Sequence, residues 1–448
     1  MLFYIYNYGK ASEFLAIRIQ SFLIPKTERR LNMSIYYVSA NGCDCNDGLS
    51  PETAWKSIPK VNATIVGGDE VKFRCGDIFY GRINPAPGIS AEQPTTYSYY
   101  GEGKKPVVSQ YKIPHAGVWE KIKDGVYMLD MNDTSKFDGN HSEIDANAGF
   151  IKVSGVIKYR KVFSLDDLKE EWDFYTDMEK NLLYVCTSKA PDELSDDIKI
   201  ACNISCMWFK THIKVCGIVF NGTGGHGING VTGGAYISDC EFHEIGGSRL
   251  PGYPDPTTRY GNGVECWSNS HDVTVERCKF SDVYDVAITM QGTEVKVNWE
   301  NMYFRNNEMW NCTQCFEIWS SGTLPNTGFV NCYFENNTCI NSGICWGNAA
   351  RPNKEVSSHL LLYGLQCPLC DITIRGNFLA FARSSTIFKS GGILDIPHDY
   401  KIYGNTIIRP AGQEMCCAGR ASAQEVAEFE KKIAETNLVI DSIDYYAK

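Results

Sequence analysis

Dense basic clusters are missing from this chain. Its 448 residues carry 43 Lys and Arg against 53 Asp and Glu, a formal charge of −10, and no dense basic run stands outside Thr27 to Leu31. Nucleic acid and anionic membranes both require a basic surface, so neither is an expected partner, whereas a neutral sugar needs none. A long uninterrupted apolar run is missing as well. The first 32 residues are apolar and aromatic, but Lys10, Glu13 and Arg18 interrupt them and no small-residue cleavage signature follows. They fit neither a signal peptide nor a membrane span, which leaves the cytoplasm as the expected location. Charge of either sign is sparse, at 21% of residues, while 40 Gly, 25 Tyr and 21 Phe describe a globular, β-rich chain with ample material for a core.

A cysteine framework is absent too. The 19 cysteines are odd in number and many fall at strand positions, so buried, reduced thiols are expected, and the Cys43/Cys45 and Cys416/Cys417 pairs read as loop features rather than metal or redox sites. Cys367-Pro-Leu-Cys370 has the CxxC form, but no second CxxC or nearby His pair completes a metal site, and it reads as a loop.

What is present is a repeat. Cys240/Phe242, Cys278/Phe280, Asn307/Met309, Cys332/Phe334, Asn377/Leu379 and Asn405/Ile407 each place a Cys or Asn two positions before a large apolar residue, at irregular spacings of 25 to 45 residues. A strand-rich coil of this length cannot bury its apolar face alone, so such coils stack and share one core. Asn at an inward turn bonds the backbone of neighbouring coils, and a buried Cys fills similar space. Asn307, Asn377 and Asn405 are therefore expected to form a structural ladder.

The sequence divides accordingly. Residues 1–33 read as an extension that need not belong to the fold. Residues 34–112 read as a cap with the first coils: a strand Ile35 to Ser39, a helix Ala54 to Thr64 and a strand Glu70 to Cys75. Residues 113–200, richer in charge and with an acidic helix Ser164 to Glu171, read as an inserted β-rich subdomain. Coils fill 201–411, and 412–448 supply a helical cap whose apolar stripe is Val426, Phe429, Ile433 and Ala434. Caps are physically required, because an open solenoid end exposes unpaired strand edges.

The opening YYVSANGCDCNDGLSPETAWKSI and the later GGDEVKFRCGDIF, followed by the coils, resemble the right-handed parallel β-helix proteins of the pectate-lyase-like superfamily. The resemblance implies an all-β right-handed parallel β-helix solenoid and a carbohydrate substrate. It does not choose a reaction, since such relatives include glycoside hydrolases, polysaccharide lyases and sugar epimerases.

Turns align four strands: Gly263 to Trp267, Ala287 to Gln291, Cys315 to Trp319 and Gly343 to Trp346. Alternation sends Glu265, Thr289 and Glu317 outward in one column, with Trp267, Gln291 and Trp319 beside them. Two rungs separate the Glu265 and Glu317 backbones by about 9.6 Å, near the upper end of the roughly 6.5–9.5 Å between the carboxyls of an inverting glycosidase. Glu265, Asp285, Glu317 and His359 are the catalytic candidates; His226, Trp267, Gln291, Trp319, Trp346 and Arg351 are the substrate-binding ones, with the indoles as stacking platforms for sugar rings. The loop Ser248 to Tyr260 is expected to overhang this column. No cofactor is expected for a hydrolase. A lyase or epimerase would draw on His359, Arg351 or Tyr363, and a calcium-dependent lyase on Glu265, Asp282, Asp285 and Glu317. A non-catalytic sugar-binding protein is the third reading.

Overall fold

The computed structural model describes residues 33–138, 145–351, 357–363, 367–389, 401–418 and 422–442. Their main body is three long parallel sheets. Among the described residues, the first sheet runs through ten strands from Ile35–Val38 to Lys401–Tyr403. The second runs through ten from Ile78–Tyr80 to Leu438–Ser442, and the third through eight from Met207–Trp208 to Cys416–Ala418. Successive coils visit the sheets in turn, so residues far apart in sequence stack one rung apart. Alternation explains why these segments are strands: in Ile213–Cys216, Ile213 and Val215 are fully buried while the residues between them are half-buried. Inward side chains form continuous stacks, with Phe220, Phe242 and Phe280 at ring separations of 5.4 and 4.7 Å. Each such ring contributes about 2–3 kcal/mol by leaving water.

The ladder is longer than the repeat pattern implies. The Asn307 side-chain oxygen accepts from the Cys278 N–H at 2.9 Å, and Asn337, Asn377, Asn405 and Asn437 each accept from the preceding rung's Asn N–H at 2.9 Å. Asn337 and Cys339, rather than Cys332 and Phe334, occupy this coil's place in the second sheet, where Met309 pairs with Cys339 and Cys339 with Leu379. Cys332 and Phe334 lie in the first sheet against Met302 and Phe304. Both dipeptide patterns fit within one coil, and a local pattern cannot tell one sheet from the next.

Several local expectations need correction. Cys43 and Cys45 are joined by a disulfide, while buried cysteines of the coils such as Cys240, Cys266 and Cys278 keep free thiols. The first helix is Ile58–Thr64, because Trp55 is drawn into a bridge with Val38 and Ser57 caps the helix by accepting from the Lys60 N–H. The acidic helix reduces to a 3-10 turn, Leu165–Asp167. There the Asp173 carboxylate takes the Lys169 and Glu170 N–H groups, and local side-chain bonds of this kind compete with helix.

The inserted region forms two mainly antiparallel sheets with their own core, including Trp119, Leu129, Phe174 and Leu183. It docks on the coils through Phe150, which packs against Trp346 at 5.0 Å, while Trp346 packs on Tyr284 at 5.3 Å. Asn147 fixes the neighbouring ribbon, Ser248–Arg249 with Arg259–Tyr260, by bonding the Arg249 N–H and carbonyl, both at 2.9 Å. Helix Ala423–Thr436 begins with a Ser422/Glu425 capping box and buries Ile433 against the solenoid core.

Candidate active site

The third sheet carries the polar column in the expected register. Glu265 pairs with Thr289 and Thr289 with Glu317, while Gln291 pairs with Trp319 and Trp319 with Tyr363. Val264, Cys266, Ile288, Met290, Phe316 and Ile318 all point into the core, so the residues between them face out. The close stacking of these rungs needs glycine at their start: a Cβ on Gly227 would lie 2.5 Å from the Gly263 carbonyl oxygen, and one on Gly263 would lie 2.5 Å from that of Ala287.

Glu265 faces out yet is largely covered, at 5% exposure. It accepts from the Gln291 amide at 2.8 Å and meets the His226 Nε2 at 3.3 Å. The Asn262 backbone N–H donates to His226 Nδ1 at 3.0 Å, so in the neutral ring the proton sits on Nε2, the nitrogen turned toward Glu265. Tyr260, at the end of the overhanging ribbon, packs edge-on against His226 at 5.0 Å, and its hydroxyl donates to Asn203. Burial first, then the Glu265 charge, pushes the Tyr260 hydroxyl far above its ordinary value. Asn203 in turn donates to Asp145 of the inserted subdomain at 3.2 Å. Two rungs along, Glu317 is half-buried and accepts from the fully buried Thr289 hydroxyl at 3.0 Å. Trp267, Gln291 and Trp319 are likewise half-buried, and Tyr363 is 44% exposed.

Other candidates lie elsewhere. Trp346 was expected one rung beyond Trp319, but that rung is Ser358–Tyr363, and Trp346 opens a helical turn, Trp346–Ala349. It is 8% exposed, bonded to the Asp282 carbonyl and covered by Phe150, so it anchors the subdomain and presents no free face. Arg351 is engaged by Asp285 at 3.1 Å and by the Tyr284 carbonyl, with its guanidinium 4.1 Å from the Tyr284 ring centre. Asp285 lies in the turn before the strand Val286–Gly292, four residues or roughly 13 Å along the chain from Thr289, and does not sit between the two glutamates. His359 is fully buried, with Nδ1 2.7 Å from the Ser342 hydroxyl and 3.8 Å from the Cys315 sulfur. Asp282 belongs to the second sheet, where burial and then the nearby Glu244 raise its carboxyl. Among the described residues no group of three or more His, Cys, Asp or Glu is arranged to hold a metal ion.

Sequence reasoning passed over Tyr260 and Asn203. Tyr260 had a signal, as the last residue of the ribbon expected to overhang the column. Asn203 had none.

A family model described as a right-handed β-helix region matches residues 201–358. No curated protein matches the chain. Among solved structures, the complex of XylC with xylose is 12% identical, with 91% of this chain and 82% of that one covered at a TM-score of 0.49. The GH136 lacto-N-biosidase from Eubacterium ramulus is 11% identical, with coverages of 91% and 68% and a TM-score of 0.39. An alginate lyase from a Paenibacillus strain is 9% identical, with coverages of 90% and 98% and a TM-score of 0.36. Likenesses this distant bear on no reaction. The matched region spans the rungs of the polar column, and those rungs continue in parallel register around one core on either side of it. The chain folds as a right-handed parallel β-helix, and residues 201–358 match the model of that region.

Proposed function

We propose that the protein is a carbohydrate-active enzyme, and specifically a glycoside hydrolase that uses Glu265 and Glu317. The observation that supports this is the register itself: two outward carboxylates two rungs apart on one column, flanked by half-buried indoles on the next. Their backbones are about 9.6 Å apart, which leaves room for a water between the carboxyls, as inversion requires. Glu265, which receives a hydrogen bond from Gln291 and has the His226 Nε2 3.3 Å away, is suited to the general-base role. Glu317, the more open of the two, is assigned as the proton donor to the leaving oxygen. His226 is a positioning residue, because it orients Glu265 and is itself held by the Asn262 N–H. Trp267 and Trp319 are the sugar platforms, and Gln291 stands between them.

A uronate lyase would need a free cation and a base on this face, but Arg351 is committed to Asp285 and His359 is enclosed by Ser342 and Cys315. The test is a screen of neutral and uronic-acid oligosaccharides that reads new reducing ends and ultraviolet absorbance together. New ends without absorbance, lost in Glu265→Gln and Glu317→Gln, are expected. Absorbance from unsaturated uronates would assign a lyase, and binding that survives both substitutions without turnover would assign a sugar-binding protein.

A further inference from the structure

We propose that Trp208 forms a distal sugar-stacking subsite on the same face, so that the ligand is a chain of several sugar rings laid along the helix axis across the rungs. This rests on the carbohydrate reading above and extends it to substrate length.

Met207 is fully buried in the core and pairs with Ile228, which pairs with Val264. Trp208, Asn229 and Glu265 therefore follow one another in the outward column, and Trp208 lies two rungs, about 9.6 Å, before Glu265. Its indole is 49% exposed, far more than Trp267 or Trp319, which are half-buried. One face is covered by the Arg82 guanidinium, 5.3 Å from the ring centre, and the ring edge lies over Gly230, where a Cβ would be 3.6 Å from Nε1. Half the surface of a flat ring stays accessible when one face is covered, so the indole is held in place with its other face in water.

A fixed, exposed indole gains nothing from solvent and offers a flat apolar surface to a pyranose. Asn229, half-buried between Trp208 and Glu265, adds an amide that donates to and accepts from sugar hydroxyls. Aromatic surfaces then stand on both sides of the carboxylate pair, Trp208 two rungs before Glu265 and Tyr363 one rung beyond Glu317, with Trp319 on the Glu317 rung itself. From the Trp208 rung to the Tyr363 rung there are five steps, about 24 Å. A mono- or disaccharide cannot bridge that span, whereas an oligosaccharide can.

The experiment is calorimetric binding of length ladders of xylo-, cello- and galacturono-oligosaccharides to the wild type, Trp208→Ala and Trp208→Phe, with the Gln variant of Glu317 as background to prevent turnover. Loss of one aromatic platform should weaken the longest bound oligosaccharides about tenfold, leave the shortest unchanged, and be largely restored in Trp208→Phe. Equal loss at every length, or no loss, overturns the subsite while the proposed function stands. Absence of binding by the wild type to all three ladders overturns the proposed function and the subsite with it. Should Trp208→Ala fail to fold, oxidation of tryptophans in the wild type by N-bromosuccinimide, mapped by mass spectrometry, decides the matter. Long oligosaccharides are expected to protect Trp208 and short ones to leave it reactive, and reactivity unchanged by long ligands overturns the proposal.

Discussion

The outward faces of the first and third sheets both carry glutamates in register, but they treat them differently. On the first sheet, Glu276, Arg305, Glu335 and Arg375 alternate in one column. Arg305 donates to Glu276 at 2.7 Å and Arg375 to Glu335 at 2.8 Å, beside the stacked rings of Tyr303 and Tyr333. On the third sheet, Glu265 meets an amide and an imidazole, and Glu317 meets a hydroxyl. A guanidinium neutralises a carboxylate and holds it through a charge-assisted hydrogen bond. Amide, hydroxyl and imidazole donors orient a carboxylate and leave its charge available for proton transfer. On the proposed reading, the first face serves stability and the third serves chemistry.

The largest expected effect separates the faces by activity. Glu317→Gln or Glu265→Gln should lower turnover by about 10²–10⁴-fold, the usual contribution of a general acid or base, with little change in melting temperature. Glu335→Gln should do the reverse, and equal losses of activity from both faces would break the contrast. Next, Asn377→Ala serves as an interior reference. It leaves the Asn337 N–H and side-chain amide and the Phe334 carbonyl without their buried partner. At about 1–3 kcal/mol for each of these three groups, a loss of at least roughly 3 kcal/mol is expected by urea unfolding.

Glu276→Gln should cost less, on the order of 1–3 kcal/mol as a charge-assisted bond is weakened, and it should change the acid response. Burial alone would raise the Glu276 carboxyl, but hydrogen bonds from Tyr236, Arg305 and Arg277 outweigh it and hold the value at about 2. The folded value is thus below the unfolded one of about 4.3. The stabilisation is complete above the unfolded value and is lost as pH falls through about 2. The urea midpoint of the wild type should therefore drop more between neutral pH and about pH 3 than that of Glu276→Gln. The smallest effect belongs to His226→Gln, expected to reduce kcat about tenfold while KM holds. A change confined to KM would remove His226 from the role of orienting Glu265.

The sheet architecture and the glutamate column were legible because both follow from period-two alternation anchored at glycine turns. Val264, Ile288 and Phe316 bury themselves, which forces Glu265, Thr289 and Glu317 outward and fixes the register. Trp346, Arg351 and His359 were not legible. A helical turn takes the place of the rung expected at Gly343 to Trp346, and the group that covers Trp346 is Phe150, almost two hundred positions upstream. No pattern within one coil encodes contacts of that range. Nor did alternation distinguish Asn337 from Cys332, since both obey it on neighbouring sheets.

The asparagine ladder has a bearing on how such a molecule stays finite. Each rung presents the same amide to the next, so an uncovered rung is a template that does not distinguish its own chain from another copy. Asn437 ends the column at the close of helix Ala423–Thr436, where its amide turns back to the Ile402 and Ile433 carbonyls at 3.1 and 2.7 Å. Among the described residues the last amide is spent on its own chain, and helix Ala423–Thr436 packs at the ends of the first and third sheets, so that the edge left open to a second molecule is the single strand Leu438–Ser442 of the second.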